Sequence, residues 1–174
     1  YTLGRPTTLP NNSTKQIELF DQARRVPAQR LLVYAGATSF GNGRYEDANF
    51  PFAGSSKVDT YLLFRNDRAS GLGVPLPAGR IRVSRLDPAD NSLEFIGEDS
   101  IGHTPRDEQV RVKLGSAFDV VGERKQVDFS IDSRARTMEE EIEVTLRNHK
   151  DQDVEVQVRE FLFRWSNAEV ISSS

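Results

Sequence analysis

His103 and Asp107 are the two side chains whose types best suit acid–base chemistry. They lie in the stretch HTPRDE, and histidine titrates near neutral pH. A hydrolase would also need an activated nucleophile, and no Gly-x-Ser-x-Gly motif accompanies this pair. The stretch therefore predicts a proline-containing turn between strands, and a hydrolase that uses His103 and Asp107 is kept as an alternative.

Asp119 and Arg124 form a second candidate pair, a carboxylate base beside a cation that could hold an anion. They lie in VKLGSAFDVVGERKQ, which contains two glycines. A phosphate-binding P-loop requires a helix after its second glycine, because the N–H groups at the start of the helix bind the anion. An alternating, strand-like run follows Gly122 instead. The stretch therefore predicts a kinked strand, with Phe118 and Val120 packed inward, and a turn at Gly122.

Oxygen ligands for a cation occur together in the stretch DPADNS, as Asp87, Asp90 and Asn91. The stretch lacks the spacing and the terminal glutamate of a calcium-binding EF-hand. The chain has no cysteine and two histidines that are far apart, which disfavours a zinc site. We predict a β-turn here, no metal and no cofactor.

Aromatic residues occur in a long irregular segment at residues 36–57, which is rich in glycine, serine and asparagine. Connections of this length are commonly functional or disordered. Exposed Tyr45, Phe50 and Phe52 could stack on sugar rings or anchor a partner protein. Alternatively, Phe50 and Phe52 fold back and cap the end of the core. Both interpretations are open.

The elements that must position these residues are predicted to be β-strands. Apolar and polar residues alternate in RIRVSR, QVRVKL, KQVDFSIDS, EIEVTLRN and DVEVQVRE. This period places one set of side chains on a buried face and the other in water. Shorter apolar runs predict strands buried on both faces: QIELF, RLLVYA and TYLLFR. MEEEIEV contains helix-compatible residues, but the alternation that follows it favours a strand.

Turn signals separate these runs at intervals typical of a sandwich. NHKDQD predicts a hairpin between two alternating runs, and REFLFRW predicts a last strand with Phe161, Phe163 and Trp165 on one face. The pattern predicts one all-β domain over residues 1–174. Its expected architecture is a two-sheet antiparallel β-sandwich, immunoglobulin-like in style.

Composition excludes several classes of function. The 23 basic and 26 acidic residues give a net charge of −3, and the basic residues are scattered, so nucleic acid is not an expected partner. No apolar run approaches the length that spans a bilayer, so no transmembrane segment is expected. The chain does not start with methionine, and we expect any export signal to lie upstream of Tyr1.

Five segments resemble the bacterial domain-of-unknown-function family 4139, the C-terminal domain of exported, mucoidy-inhibitor-like proteins. They are RPTTLPNNSTKQIEL, GLGVPLPAGRIRV, FIGEDSIGHTPRDEQVRVKLGSAFDVVGERK, LRNHKD and REFLFRW. The resemblance implies a β-sandwich in the bacterial periplasm or cell envelope, with no assigned activity. It also implies one or two further strands after Trp165. The sheet edge left without them would be completed by the parent chain or by a neighbour.

The candidate polar residues form no coherent catalytic set, so we predict a protein that is not an enzyme. The expected function is a protein-interaction or structural module of a cell-envelope protein. Its partner would be another protein or an adjacent domain of the parent chain. The alternative is a carbohydrate-binding module that holds a cell-envelope glycan through Tyr45, Phe50 and Phe52.

Overall fold

The computed structural model describes most of the chain, namely residues 6–8, 10–18, 20–37, 43–48, 54–162, 164–165 and 167–173. These residues form seven β-strands in two sheets and contain no helix, which confirms the all-β prediction. Within this described part, therefore, no helix is long and apolar enough to cross a membrane. The strands are β1 (Ala28–Tyr34), β2 (Lys57–Arg65), β3 (Gly79–Leu86), β4 (Leu93–Ile101), β5 (Gln109–Asp132), β6 (Thr137–Asn148) and β7 (Val156–Val158).

Five strands form the larger sheet, in the order β6-β5-β2-β1-β7. The pairs β1–β2, β2–β5 and β5–β6 are antiparallel, but β1 and β7 are parallel. The expectation of purely antiparallel sheets is therefore wrong at this edge. The predicted hairpin at NHKDQD is wrong for the same reason, since β7 pairs with β1 and not with β6. Apolar burial accounts for the position of β7, because Val156 packs beside Leu32 and Tyr34 of β1.

The larger sheet is curled around one buried cluster. Leu32, Tyr34, Val58 and Val120 form its centre. Paired residues on neighbouring strands share a face, so these side chains lie on one side of the sheet. Partly buried valines from both edge strands, β6 and β7, pack against the same cluster. The two edges of the sheet therefore approach each other over this core.

The smaller sheet, β3 and β4, is a hairpin that covers the other end of the same face. Val110, Val112 and Leu76 are buried there, and hydrophobic residues of the hairpin pack against them. A Cβ at Gly97 of β4 would meet the backbone of Leu114, so the two sheets approach closely at this glycine. A hydrogen bond from the Lys113 N–H group to the Asp99 carboxylate, 2.8 Å long, also joins them.

Strand β5 runs without interruption through the stretch for which a turn at Gly122 was predicted. That prediction is wrong. Gly122 is instead where the buried Tyr34 ring lies directly against the strand. The kink occurs earlier, where Gly115 has a φ of 137° and the register with β2 shifts. Phe118 is 99% exposed and not packed inward as predicted, whereas Val120 is buried. A second register shift with β2, between the partners Ala117 and Val121, includes both residues.

Two other predicted strands do not form. The described residues of QIELF and of REFLFRW have no strand conformation, and Phe163 lies outside the described residues. The chain leaves β7 after Val158, and Trp165 is half-exposed. The segment that follows is held by the hydrogen bond from Arg159 N–H to Tyr34 O, 2.8 Å, and by side-chain ion pairs, so a strand ladder is not needed.

Candidate functional site

His103 and Asp107 lie in the loop between β4 and β5, and both are exposed. His103 Nδ1 accepts a hydrogen bond of 3.3 Å from the Ala78 N–H group. Asp107 has a left-handed φ of 67°, and its N–H group donates to Asn66 O at 2.8 Å. The two residues thus contact different partners and not each other in the described hydrogen bonds. These hydrogen bonds stabilise the turn that was predicted from the sequence.

Asn66 organises this region, although the sequence analysis did not single it out. Its side chain is fully buried, and Nδ2 donates to Val74 O and to Pro105 O, both at 2.8 Å. Its Oδ1 accepts from the Gly73 N–H group at 3.2 Å. One asparagine therefore satisfies backbone groups of two loops, which is a structural role. Its sequence signal is a polar residue placed directly after the buried strand β2.

Asp119 and Arg124 are not brought together by β5. Asp119 is exposed, and its carboxylate accepts from Lys150 Nζ at 2.6 Å, which holds the pKa of Asp119 below its usual value. The Arg124 side chain is 2% exposed and makes a two-pronged contact with Glu160, with Nε–Oε1 at 2.9 Å and Nη2–Oε1 at 2.6 Å. Its charge is therefore already matched by a carboxylate.

The stretch DPADNS forms the tight turn between β3 and β4, as predicted. Asp87 Oδ1 accepts from the Ala89 N–H group and Asp90 Oδ1 accepts from the Ser92 N–H group, both at 2.8 Å. The hydrogen bonds to Asp90 from Ser92 lower the pKa of that carboxyl. Asn91 adopts a left-handed φ of 58°. These carboxylates cap backbone groups, and across the described ranges no group of three or more histidine or acidic side chains is placed to hold a metal ion.

Of the three aromatic candidates at 36–57, Tyr45 is described, whereas Phe50 and Phe52 lie outside the described residues. Tyr45 is half-buried in the segment 43–48. Its N–H group donates to Arg164 O at 3.1 Å. Arg164 Nη1 donates in return to Tyr45 O at 3.2 Å and to Asp47 O at 2.7 Å. The backbone of this segment is thereby fixed against the end of the chain.

Arg164 is the residue that joins three parts of the protein, and sequence reasoning missed it. Its side chain is 7% exposed and contacts Glu140 of β6 at 3.0 Å and Gln126 of β5 at 2.7 Å. The guanidinium also lies 4.1 Å from the centre of the Phe129 ring, within the range of a cation–π contact. No spacing rule links residues so far apart in the chain, so the sequence carried no signal for this cluster.

The outer half of the β3–β4 hairpin, residues 84–96, exposes several large apolar side chains. We call it the hairpin arm. Leu86 is 56%, Leu93 73% and Phe95 62% exposed. Leu86 is paired with Leu93, and Phe95 with Ser84, so the three apolar side chains share one face. Ile96, at the register shift, is 42% exposed beside them.

Charged residues surround the apolar face of the hairpin arm. Arg80 and Arg82 contact the same carboxylate, Glu98, at 3.1 and 3.0 Å. On the opposite face of the arm, Arg85 pairs with Glu94 at 2.6 Å. These exposed pairs hold the two strands in register but contribute little to stability. The border of the apolar face carries both signs of charge, because the two carboxylates of the DPADNS turn lie at its other end.

A scan against protein-family models and searches of curated proteins and of solved structures found no match for this chain.

Proposed function

We propose that this chain is a non-catalytic protein-interaction module that binds its partner through the hairpin arm. The observation that carries this proposal is the exposed face formed by Leu86, Leu93 and Phe95, with the exposed Ile96 next to it at the register shift. Residues 84–96 are exposed on both faces of the hairpin, apart from the half-buried Asp87 in the turn. The arm therefore contributes little to the core from which it extends, and its apolar residues need another explanation.

The size of this face supports a binding role. From the exposed fractions, the four side chains present on the order of 400 Å² of surface, which matches the largest apolar patch of a typical monomer. A standard interface buries about 800 Å² on each partner and has an apolar centre with a polar rim. Leu93 and Phe95 would form that centre, and Arg80 and Arg82 would lie on the rim.

The charge around the face selects the kind of partner. At the base of the face, Arg80 and Arg82 share the single carboxylate of Glu98, and the turn carboxylates Asp87 and Asp90 lie at its other end. A protein surface with apolar side chains, an acidic residue opposite the arginines and a basic residue opposite the turn is complementary to this arrangement. The proposed partner is accordingly a protein or an adjacent domain whose rim carries both charges in that order.

The setting of the module is part of the same proposal. The packing of β3 and β4 on one face of the larger sheet supports a β-sandwich of immunoglobulin-like style. The resemblance of the five segments supports an exported bacterial protein of the periplasm or cell envelope. In that setting, the arm would dock on a neighbouring envelope protein or on another domain of the parent chain.

Capture from a bacterial envelope extract, followed by measurement with the purified captured protein, tests the proposal. The baits are the intact protein, a variant with Leu93→Thr and Phe95→Thr, and a control with Val127→Thr, which removes an exposed apolar residue from β5. Threonine suits exposed strand positions, so all three should melt alike.

We expect the intact protein and the Val127→Thr control to bind the same purified partner. The variant with two substitutions in the arm should bind it at least about tenfold more weakly, because truncating central apolar residues of an interface has effects of this size. Equal affinity of the arm variant would refute the proposal. The proposal would also be refuted if the intact protein captured no protein beyond those that the arm variant captures.

A further inference from the structure

A second, separate surface of the protein is an open cleft of about 540 Å³. Arg44 and Glu46 of the segment 43–48 form one wall, and Ile131, Ser133 and Arg136, at the end of β5 and in the turn to β6, form the other. Its volume lies within the range of small-molecule sites.

One wall of the cleft is fixed by a buried side chain. Arg164 donates hydrogen bonds to the carbonyl oxygens of Tyr45 and Asp47, the residues that flank Glu46 and follow Arg44. The Tyr45 N–H group closes the contact by donating to Arg164 O. The other wall follows a paired strand end, where Asp132 of β5 lies opposite Thr137 of β6. Both walls therefore hold their positions without a ligand. This lowers the entropy cost of ordering them when a ligand binds.

The cleft has an excess of positive charge. Arg44 is paired with Glu46 at 2.5 Å. Arg136 forms no ion pair with any residue in the described part of the chain. The nearby Asp132 carboxylate accepts hydrogen bonds from the Arg134 and Ala135 N–H groups of the turn, so its hydrogen-bond partners are backbone groups and not the Arg136 guanidinium. A guanidinium with an unmatched charge in a cleft binds a carboxylate through two parallel hydrogen bonds.

The backbone at Arg136 adds a second observation. Its φ is 57°, in the left-handed region that favours glycine or asparagine. Glycine would suit the backbone at this turn position better. The arginine instead places a charged side chain at the mouth of the cleft. The turn geometry therefore fixes where the Arg136 side chain leaves the backbone.

The remaining groups favour a ligand rich in hydroxyl groups. Guanidinium, carboxylate and hydroxyl side chains line the cleft, and Ile131 is its apolar lining residue. Trp165 is 46% exposed and its ring centre lies 5.9 Å from the Arg44 guanidinium. An exposed tryptophan offers an apolar face on which a sugar ring can stack, and its neighbours can pair with sugar hydroxyls.

We propose that this cleft binds a saccharide that carries a carboxylate, with Arg136 holding the carboxylate and Arg44, Glu46 and Ser133 contacting hydroxyl groups. The site goes beyond the hairpin arm and uses none of its residues. The site predicted from the sequence uses Tyr45, Phe50 and Phe52, whereas this proposal is argued from Arg44, Glu46, Ser133 and Arg136.

The single tryptophan of the chain provides the assay. The full chain is titrated with a tetrasaccharide of galacturonic acid, with its methyl ester and with inorganic phosphate, while Trp165 fluorescence is recorded. Calorimetry on the same samples detects binding that leaves the tryptophan unchanged. The ester removes the negative charges but keeps the sugar rings, and phosphate keeps a negative charge without a sugar.

Two substitutions in the same turn form the matched comparison. Arg136→Gln removes the guanidinium in the cleft, whereas Arg134→Gln removes the same charge from a residue that does not line it. Arg136→Gly is a third variant that also removes the side chain but suits the left-handed backbone, so loss of binding cannot be attributed to misfolding. The arm variant with Leu93→Thr and Phe95→Thr should bind the sugar as the unmodified protein does.

We expect saturable binding of the acidic tetrasaccharide to the unmodified protein and to Arg134→Gln. Binding to Arg136→Gln and Arg136→Gly should be weaker by about tenfold, the effect of losing one charge-assisted contact. The ester and phosphate should bind more weakly to a similar extent. The proposal is overturned if no saturable binding occurs up to roughly 10 mM. It is also overturned if the ester or phosphate binds equally well, or if both Arg136 variants keep the original affinity.

Discussion

Replacing Gly122 with alanine should strongly destabilise the protein, because the added methyl group would overlap the Tyr34 ring. A Cβ built on Gly122 lies 2.6 Å from Tyr34 Cζ and closer still to Cδ2 and Cε2. Carbon atoms in contact are normally about 3.5–4.0 Å apart. Tyr34 has no exposed surface and is enclosed by Leu32, Val58 and Val120. The ring therefore cannot move away without disturbing the core around which the larger sheet curls.

The expected loss follows from this overlap. Inserting a methyl group into a well-packed core usually costs about 1–3 kcal/mol. The overlap of more than 1 Å with a rigid, enclosed ring at Gly122 places the cost at the upper end of that range. Alanine restricts the unfolded chain and returns about 0.4–1 kcal/mol. We therefore expect a decrease of about 2–3 kcal/mol in the free energy of unfolding. For a chain of 174 residues, this lowers the melting temperature by roughly 4–12 °C.

Gly79→Ala is the matched control. It also adds one methyl group to a strand glycine, but no atom lies within 4 Å of the new Cβ. Its melting temperature should equal or slightly exceed that of the unmodified protein. Thermal and urea unfolding of both variants decide the matter. If Gly122→Ala unfolds at the same temperature as Gly79→Ala, the close packing of Tyr34 on β5 is refuted. Combining Gly122→Ala with Tyr34→Leu should lose less stability than the sum of the two single changes, because leucine leaves space for the methyl group.

Three further outcomes follow from the described contacts. Arg164→Gln should destabilise the protein by about 3 kcal/mol, because it leaves a largely buried carboxylate unpaired; hydrogen exchange at the Tyr45 amide, which donates to Arg164 O, should accelerate with it. Tyr34→Phe should leave stability unchanged or raise it by up to about 1 kcal/mol, because the buried hydroxyl has no hydrogen-bond partner among the described residues. Burial raises the pKa of Tyr34, so the unfolded chain ionises first and stability falls above about pH 10; Tyr34→Phe should lessen that fall in urea unfolding at pH 9 to 11. Lys150→Gln should raise the pKa of Asp119 towards its usual value, as an NMR titration of the carboxyl would record; an unchanged pKa would contradict the Asp119–Lys150 contact.

The fold class could be predicted from the sequence because period-two alternation is a local property. Runs such as RIRVSR and QVRVKL form strands, and MEEEIEV lies in β6 as predicted. The turn at Gly122 could not be assigned correctly in this way. Glycine occurs both in turns and where another group approaches the backbone closely, and the group that approaches here is Tyr34, on a distant strand. The pairing of β7 with β1 was missed for a similar reason, since it depends on which buried surface Val156 completes.

The candidate sites were harder to predict than the strands. The predicted candidates were polar pairs that are near in sequence, such as His103 with Asp107, but the described contacts of these residues lead to other partners. The cleft combines Arg44 with Arg136, and no periodicity links residues from a loop and a distant turn. Tyr45 belongs to the predicted aromatic segment, yet its backbone is what Arg164 holds.

The two proposed surfaces share a physical property that separates them from the core. Ile81 and Val83 anchor the base of the hairpin in a buried cluster, while Leu93 and Phe95, further along the same hairpin, are mostly exposed. The wall of the cleft at 43–48 is likewise attached through polar contacts, from Arg164 to the Tyr45 and Asp47 carbonyl groups and from Gln126 to Ala48 O. Changes at the arm or at the cleft mouth should therefore alter binding with little effect on folding. Changes at the anchoring residues should affect both, and this difference allows binding roles to be distinguished from structural ones in this protein.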